Sequence, residues 1–206
     1  MIVPGKFITF DGIDGAGKST QAYWLANFLK SKGIDLVLTR EPGGTKLGEN
    51  IRDLILNTDM FVETETLLLF AARFEHFKKI IEPSLLSGKW VICDRFIDST
   101  YAYQGYGKKL DINLIRDLES WVNFSLQPDI TFLFDISFEV MNLRFINNKD
   151  LDKFEKKDKL FFDNIRKGYI KRAEIDSKRI KIINAANSIN EIQTEIINYI
   201  NFDRTI

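Results

Sequence analysis

The sequence has one cysteine (Cys93) and one histidine (His76) in 206 residues. A single cysteine allows no internal disulfide, which suits a reducing compartment. One histidine and one cysteine cannot supply the Cys/His sets of ordinary zinc sites. They also leave Ser-His or Cys-His hydrolysis with a single possible base. Neither charge is in excess: 29 Lys+Arg stand against 29 Asp+Glu. That balance argues against a binder of nucleic-acid polymers, whose affinity comes from cations displacing counterions from phosphates. The longest wholly apolar run, Leu67 to Ala72, falls far short of the ~18 residues that span a membrane. Met1-Ile-Val-Pro-Gly-Lys6 has neither the basic leader nor the long apolar stretch of a signal peptide. No Pro/Gly/Ser-rich linker and no internal repeat divides the chain. These absences point to one cytoplasmic domain over 1–206 without a membrane segment, and 45% hydrophobic residues are enough for a core.

What is present alternates in period. Phe7-Ile-Thr-Phe10 is an aromatic and β-branched run that stops at Asp11-Gly12, as a strand entering a turn does. From Lys18, Ala22, Leu25, Ala26 and Leu29 recur at i, i+3, i+4 and i+7, predicting a helix that Gly33 closes. Ile34 to Leu38 reads as a second strand, and Leu47, Ile51, Leu54 and Ile55 mark another helix. Trp90 to Cys93, Ile130 to Phe134 and Ile180 to Ile183 complete five strands, before a last amphipathic helix with Ile189, Ile192, Ile196, Ile197 and Ile200. Nearly continuous apolar strands alternating with helices predict an α/β fold: a parallel sheet of about five strands covered on both faces. Asn147 to Asp158 is charged and weakly periodic, and reads as a mobile surface segment over about 145–158.

Gly12-Ile13-Asp14-Gly15-Ala16-Gly17-Lys18-Ser19 matches G-x-x-x-x-G-K-S between a predicted strand and a predicted helix. Glycines let successive backbone N–H groups turn inward on a polyphosphate, and the helix N-terminus adds partial positive charge. Lys18 is placed to reach the β/γ-phosphates and Ser19 to hold Mg²⁺, with Thr20 next in the cradle. The segment predicts nucleoside triphosphate binding but does not name a reaction. A GTPase needs N-K-x-D to read guanine; Asn148-Lys149-Asp150-Leu151 puts leucine where the aspartate belongs.

On the acceptor side, Asp94-Arg95 follows the third strand, where an open parallel sheet builds its site. The aspartate can orient Mg²⁺ or its waters, and the arginine can fork onto a phosphate. Asp135, ending the fourth strand, competes for the metal role. Arg73 and His76 lie three apart on one helix face, with Phe70 three before. A phenyl beside a guanidinium suits a flat base, although an aromatic at that spacing also suits a core.

Taken together, Gly12 to Ser19, Thr39-Arg-Glu-Pro-Gly-Gly-Thr45, Phe70-Ala-Ala-Arg-Phe-Glu-His76 and Asp94-Arg-Phe-Ile-Asp-Ser-Thr-Tyr-Ala-Tyr-Gln-Gly105 resemble bacterial thymidylate kinases in order and spacing. The resemblance implies transfer of the γ-phosphate of ATP to dTMP with Mg²⁺, usually by a homodimer. It further implies that Phe70 stacks on thymine, Arg73 bonds the edge of the base and Arg95 clamps the dTMP phosphate. Asp14 would meet the sugar or the phosphate end, Thr100, Tyr103 and Gln104 would complete the pocket, and Asp94 would act around Mg²⁺. The family supplies a catalytic cation either inside the cradle or from a basic lid. Gly15 excludes the first, so the resemblance is to lid-type members. Lys153 is the candidate for the lid cation, with Arg144 the alternative. A kinase for another nucleotide, and a module that binds ATP without transferring phosphate, are the rival readings.

Overall fold

The computed structural model describes residues 5–122, 126–146 and 156–200. Five parallel strands are β1 (Phe7–Gly12), β2 (Leu36–Arg40), β3 (Trp90–Asp94), β4 (Ile130–Asp135) and β5 (Ile180–Asn184), in the order β2-β3-β1-β4-β5. β1 is central and wholly buried. Side chains alternate across a strand, so Ile8 and Phe10 enter one core and Phe7 the other. The first core packs α1 (Lys18–Ser31) and α9 (Ile189–Tyr199) on the sheet; the second holds Val91, Cys93, Phe70, Phe96 and Ile115.

The helix predicted from Lys18 buries Ala22, Leu25, Ala26 and Leu29 as the spacing requires. Its end explains the one displaced strand. Gly33 N donates to Lys30 O at 2.9 Å and Ile34 N to Leu29 O at 3.1 Å, a paired closure through a left-handed glycine. Ile34 therefore belongs to the helix stop, and β2 starts at Leu36 rather than Ile34.

The connections carry α2 (Lys46–Asn57), α3 (Val62–His76), α4 (Glu82–Leu86), α5 (Ile97–Thr100), α6 (Ile112–Val122), α7 (Phe138–Ile146) and α8 (Lys156–Ile175). In α2 Ile51 is buried while Leu47 and Leu54 stay exposed. Two π-helical stretches, Phe77–Ile81 and Tyr101–Gly107, extend α3 and α5. The second carries Tyr103 and Gln104, and π turns recur at functional sites because they re-aim side chains. Residues 147–155, most of the charged segment and Lys153 with it, lie outside the described residues. Among the described residues, no helix is long and apolar enough to cross a membrane.

Candidate active site

β1, β3 and β4 end together and deliver Gly12, Asp94 and Asp135 to one edge of the sheet. A Cβ on Gly12 (φ 139°) would lie 2.5 Å from Phe134 O, so only glycine lets the chain turn there beside β4. Gly17 (φ 90°) opens α1 without a side-chain cap, leaving the N–H groups of the first turn to a ligand. Lys18 Nζ donates to Ile13 O at 2.8 Å. Burial, aided by the nearby Arg95 cation, lowers its pKa to about 8 against the pull of Asp14 and Asp94. Such an ammonium gains strongly from an arriving polyphosphate.

Ser19 Oγ donates to Asp94 Oδ2, while Asp94 Oδ1 is buried without a hydrogen-bond partner. Asp135 is already taken: Arg166 Nε and Nη2 fork onto its two oxygens at 2.6 and 2.7 Å. That pairing separates the two competing carboxylates.

Arg95 is a non-glycine residue in the left-handed region (φ 69°), and its guanidinium fills the junction beside the phosphate loop. Nη2 meets Asp14 Oδ1 at 2.5 Å and Tyr103 OH at 3.3 Å; Nη1 meets Gly12 O at 3.0 Å and Ser99 Oγ at 3.1 Å. Tyr103 OH also donates to Asp14 Oδ2 at 2.9 Å. Asp14 and Arg95 line two adjoining cavities. The larger, about 590 Å³, includes Lys18, Ser19 and Asp94. The smaller, about 200 Å³, is lined by Leu69, Arg73, Phe96, Thr100, Tyr103 and Gln104 among others.

Arg73 is buried and held on three sides. Nε donates to Glu41 Oε2 at 2.7 Å, and Nη2 donates to Thr100 Oγ1 at 3.1 Å and to Phe96 O at 3.3 Å. Nη1 has no partner, so one buried donor remains beside the smaller cavity. An unsatisfied buried donor is costly unless a ligand completes it. Glu41 also accepts from His76 Nδ1 at 3.0 Å, and His76 Nε2 bonds Thr39 Oγ1 at 2.7 Å. Burial pulls the Glu41 pKa up, but Arg73 and His76 outweigh it and hold the carboxyl below its usual range. Gln104 Nε2 donates to Glu65 Oε1 at 2.9 Å.

The family model described as thymidylate kinase matches residues 10–196. The chain belongs to the thymidylate kinase family. It is 46% identical to the thymidylate kinase of Bordetella petrii over 95% of each chain. It is 49% identical to that of Cupriavidus metallidurans, over 93% of this chain and 96% of the other. The crystal structure of thymidylate kinase from Ehrlichia chaffeensis matches with a TM-score of 0.79 at 42% identity, over 95% of this chain and 98% of that one. The family's reaction is phosphorylation of dTMP to dTDP with ATP as donor.

Of the residues expected in the acceptor pocket, Phe70 lies apart from its lining. Phe70 is 2% exposed in the second core, with the Arg73 guanidinium 5.1 Å over its ring, and it is not a wall of the smaller cavity. Leu69 and Phe96 are walls instead. Neighbours on a helix point ~100° apart, so the face with Phe70 and the face with Leu69 diverge. A third cavity of about 490 Å³ joins Gly15, Gly17 and Thr20 to Asn187 and Ile192. Arg144 bridges its rim, donating to Gly15 O at 3.3 Å and to Ala185 O at 2.5 Å. The sequence singled out neither Glu41 nor Tyr169 as a single site residue. Tyr169, on α8, reaches Arg95 Nη1 at 3.1 Å across 74 residues of chain. Glu41 lies within the Thr39 to Thr45 stretch that carries the family resemblance, and its charge next to Pro42 is the available signal.

Proposed function

We propose that this chain transfers the γ-phosphate of ATP to dTMP by in-line attack at the junction of the two cavities that share Asp14 and Arg95. That shared wall carries the reading, because it brings a polyphosphate cradle and a base-sized pocket to one point. The triphosphate lies on the N–H groups of Gly12, Ile13, Asp14, Gly15, Ala16, Gly17, Lys18, Ser19 and Thr20, and the nucleoside end of ATP extends into the third cavity beside Arg144. The base of dTMP fits the smaller cavity, where the free Nη1 of Arg73 supports a hydrogen bond to its edge. Thr100 fixes that guanidinium, and Tyr103 and Gln104 bound the space for the sugar and the base. Leu69 and Phe96 supply the apolar walls; Phe70 backs Arg73 from the core. Arg95 clamps the dTMP phosphate and exchanges its bond to Asp14 for the incoming anion.

The acceptor phosphate is itself the nucleophile and is already ionised, so no strong general base is needed. What the residues contribute is position and positive charge. Lys18 neutralises charge on the transferred group, and the phosphate anion offsets the burial that lowers the Lys18 pKa to about 8. Asp94 and Ser19 fit Mg²⁺: a buried carboxylate oxygen without a partner and an adjacent hydroxyl are hard oxygen donors. Among the described residues no cluster of three or more His, Cys, Asp or Glu gathers as a metal cage. An ion held by Ser19 and Asp94 would share its remaining positions with substrate phosphates and would supply charge neutralisation when bound. Lys153 or Arg144 adds the remaining cation, over a lid at about 145–158. Arg144 has the support of its contact with the phosphate loop.

A cytoplasmic homodimer completes the proposal. Leu67 and Phe74 on α3, with Leu114 and Trp121 on α6, leave apolar area exposed on adjoining helices. The functional reading is tested by Arg95→Ala, which should raise KM for dTMP and lower kcat together, since its target borders the transferred group. Near-normal kinetics would sink the role given to Arg95.

A further inference from the structure

Tyr169 enters the site from α8, an element that none of the sequence motifs touches. Its hydroxyl lies 3.1 Å from Arg95 Nη1, 2.7 Å from Ser99 Oγ and 3.3 Å from Gly12 O. Ser99 Oγ in turn lies 2.5 Å from Asp11 Oδ1. The direction of each bond follows from what the groups can give. An ionised carboxylate only accepts, so the Ser99 hydroxyl donates to Asp11. A guanidinium only donates, so Tyr169 accepts from Arg95. The Tyr169 proton is then shared between two acceptors, Ser99 Oγ at 2.7 Å and the carbonyl of Gly12 at 3.3 Å, and its burial pushes the phenol pKa up, keeping that proton in place. Along Arg95, Tyr169, Ser99 and Asp11 the dipoles run one way, from cation to anion, beside the direct bond from Arg95 Nη1 to Ser99 Oγ, and aligned bonds strengthen one another.

The support behind this chain is rigid. A Cβ on Gly168 would lie 2.8 Å from Tyr106, so α8 presses on the π-helical stretch as closely as glycine allows. Further along α8, Arg172 Nε bonds the buried Asp98 at 2.7 Å. The Tyr169 ring is 2% exposed and meets Tyr103 edge-on, with centroids 6.3 Å apart.

We propose that Tyr169 is a positioning residue for Arg95: with Ser99 it forms a relay that ties the guanidinium to buried Asp11 and sets it in place before the acceptor phosphate arrives. Arg95 is long and has many rotamers, so fixing it in the free protein removes an ordering cost from binding. The inference rests on the reading that Arg95 contacts the phosphate of dTMP.

Tyr169→Phe keeps the ring and deletes only the hydroxyl. KM for dTMP should rise about tenfold, the order expected for one hydrogen bond to a charged group. KM for ATP should stay within about twofold. Thymidine, which lacks the phosphate, should inhibit both proteins equally. Ser99→Ala, which removes the middle of the relay together with the direct bond from Arg95 to Ser99, should give a loss selective for dTMP and at least as large. In an Arg95→Ala background, Tyr169→Phe should add nothing. If Tyr169→Phe keeps the wild-type KM for dTMP while Arg95→Ala raises it, the relay is wrong and the role of Arg95 stands. Equal losses for thymidine, dTMP and ATP would mean a merely structural role for Tyr169 and would overturn the inference. A normal dTMP KM in Arg95→Ala would overturn the reading of Arg95 and the relay with it.

Discussion

Replacing Asp11 with asparagine should make the folded chain more stable at pH 8 and a poorer enzyme. Asp11 is fully buried at the end of β1, with one oxygen bonded to Ser99 and the other without a partner. Burial first, and then repulsion from Asp98, raise its pKa from 3.8 to about 6, while Ser99, Arg95 and Lys18 oppose the shift. A carboxyl whose folded pKa lies above its unfolded value weakens folding once it ionises. Below about pH 4 both states are protonated and nothing is lost; the penalty grows between pH 4 and 6 and is complete above. Roughly two units at 1.36 kcal/mol each give a penalty of about 3 kcal/mol. Asparagine keeps an oxygen for Ser99 and carries no charge, so Asp11→Asn should recover much of that amount. For a domain of this size each kcal/mol moves the melting temperature by about 2–4 °C, so the gain is up to about 6–12 °C. Thermal melts of both proteins from pH 4 to 8 read it directly. The variant should melt higher at pH 8, with the gap closing towards pH 4, while KM for dTMP rises because Arg95 loses its anchor. A variant that melts lower at pH 8, or by an amount independent of pH, would refute the reasoning.

Two further outcomes separate packing from recognition. Phe70→Ala should cost about 3–5 kcal/mol in urea unfolding, as emptying a core position does, whereas Leu69→Ala should leave stability nearly unchanged and raise KM for dTMP. In the lid, if Lys153 supplies the cation, Lys153→Ala should lower kcat at least tenfold with little change in either KM. Unchanged turnover in Lys153→Ala, with loss in Arg144→Ala, would move the role to Arg144.

The strand ends were legible because their signals are local. Gly12 to Ser19 and Asp94-Arg95 each follow an apolar run, and a run ending in glycine or charge at a sheet edge has few other places to go. Arg73 and His76 were placed on one face by their spacing, and both reach Glu41. What spacing could not give was the partner: Glu41 is 32 residues from Arg73, and Tyr169 is 70 from Ser99. Such contacts are set by how the helices pack, which α8 achieves through Gly168 against Tyr106. The placing of Phe70 in the second core has a related reason. Helical period names the faces of α3 but not which face meets the cavity. Asp11, at the point where the sequence signals a turn, gives no sign that it lies buried within β1 as a counter-charge for Arg95.

The most direct test of the account is ADP release from MgATP with dTMP, dUMP, AMP, CMP or thymidine as acceptor, alongside a blank without acceptor. The account predicts strong turnover with dTMP and a blank near zero. Preferred turnover on another acceptor, or ATP consumption indifferent to any acceptor, would contradict it.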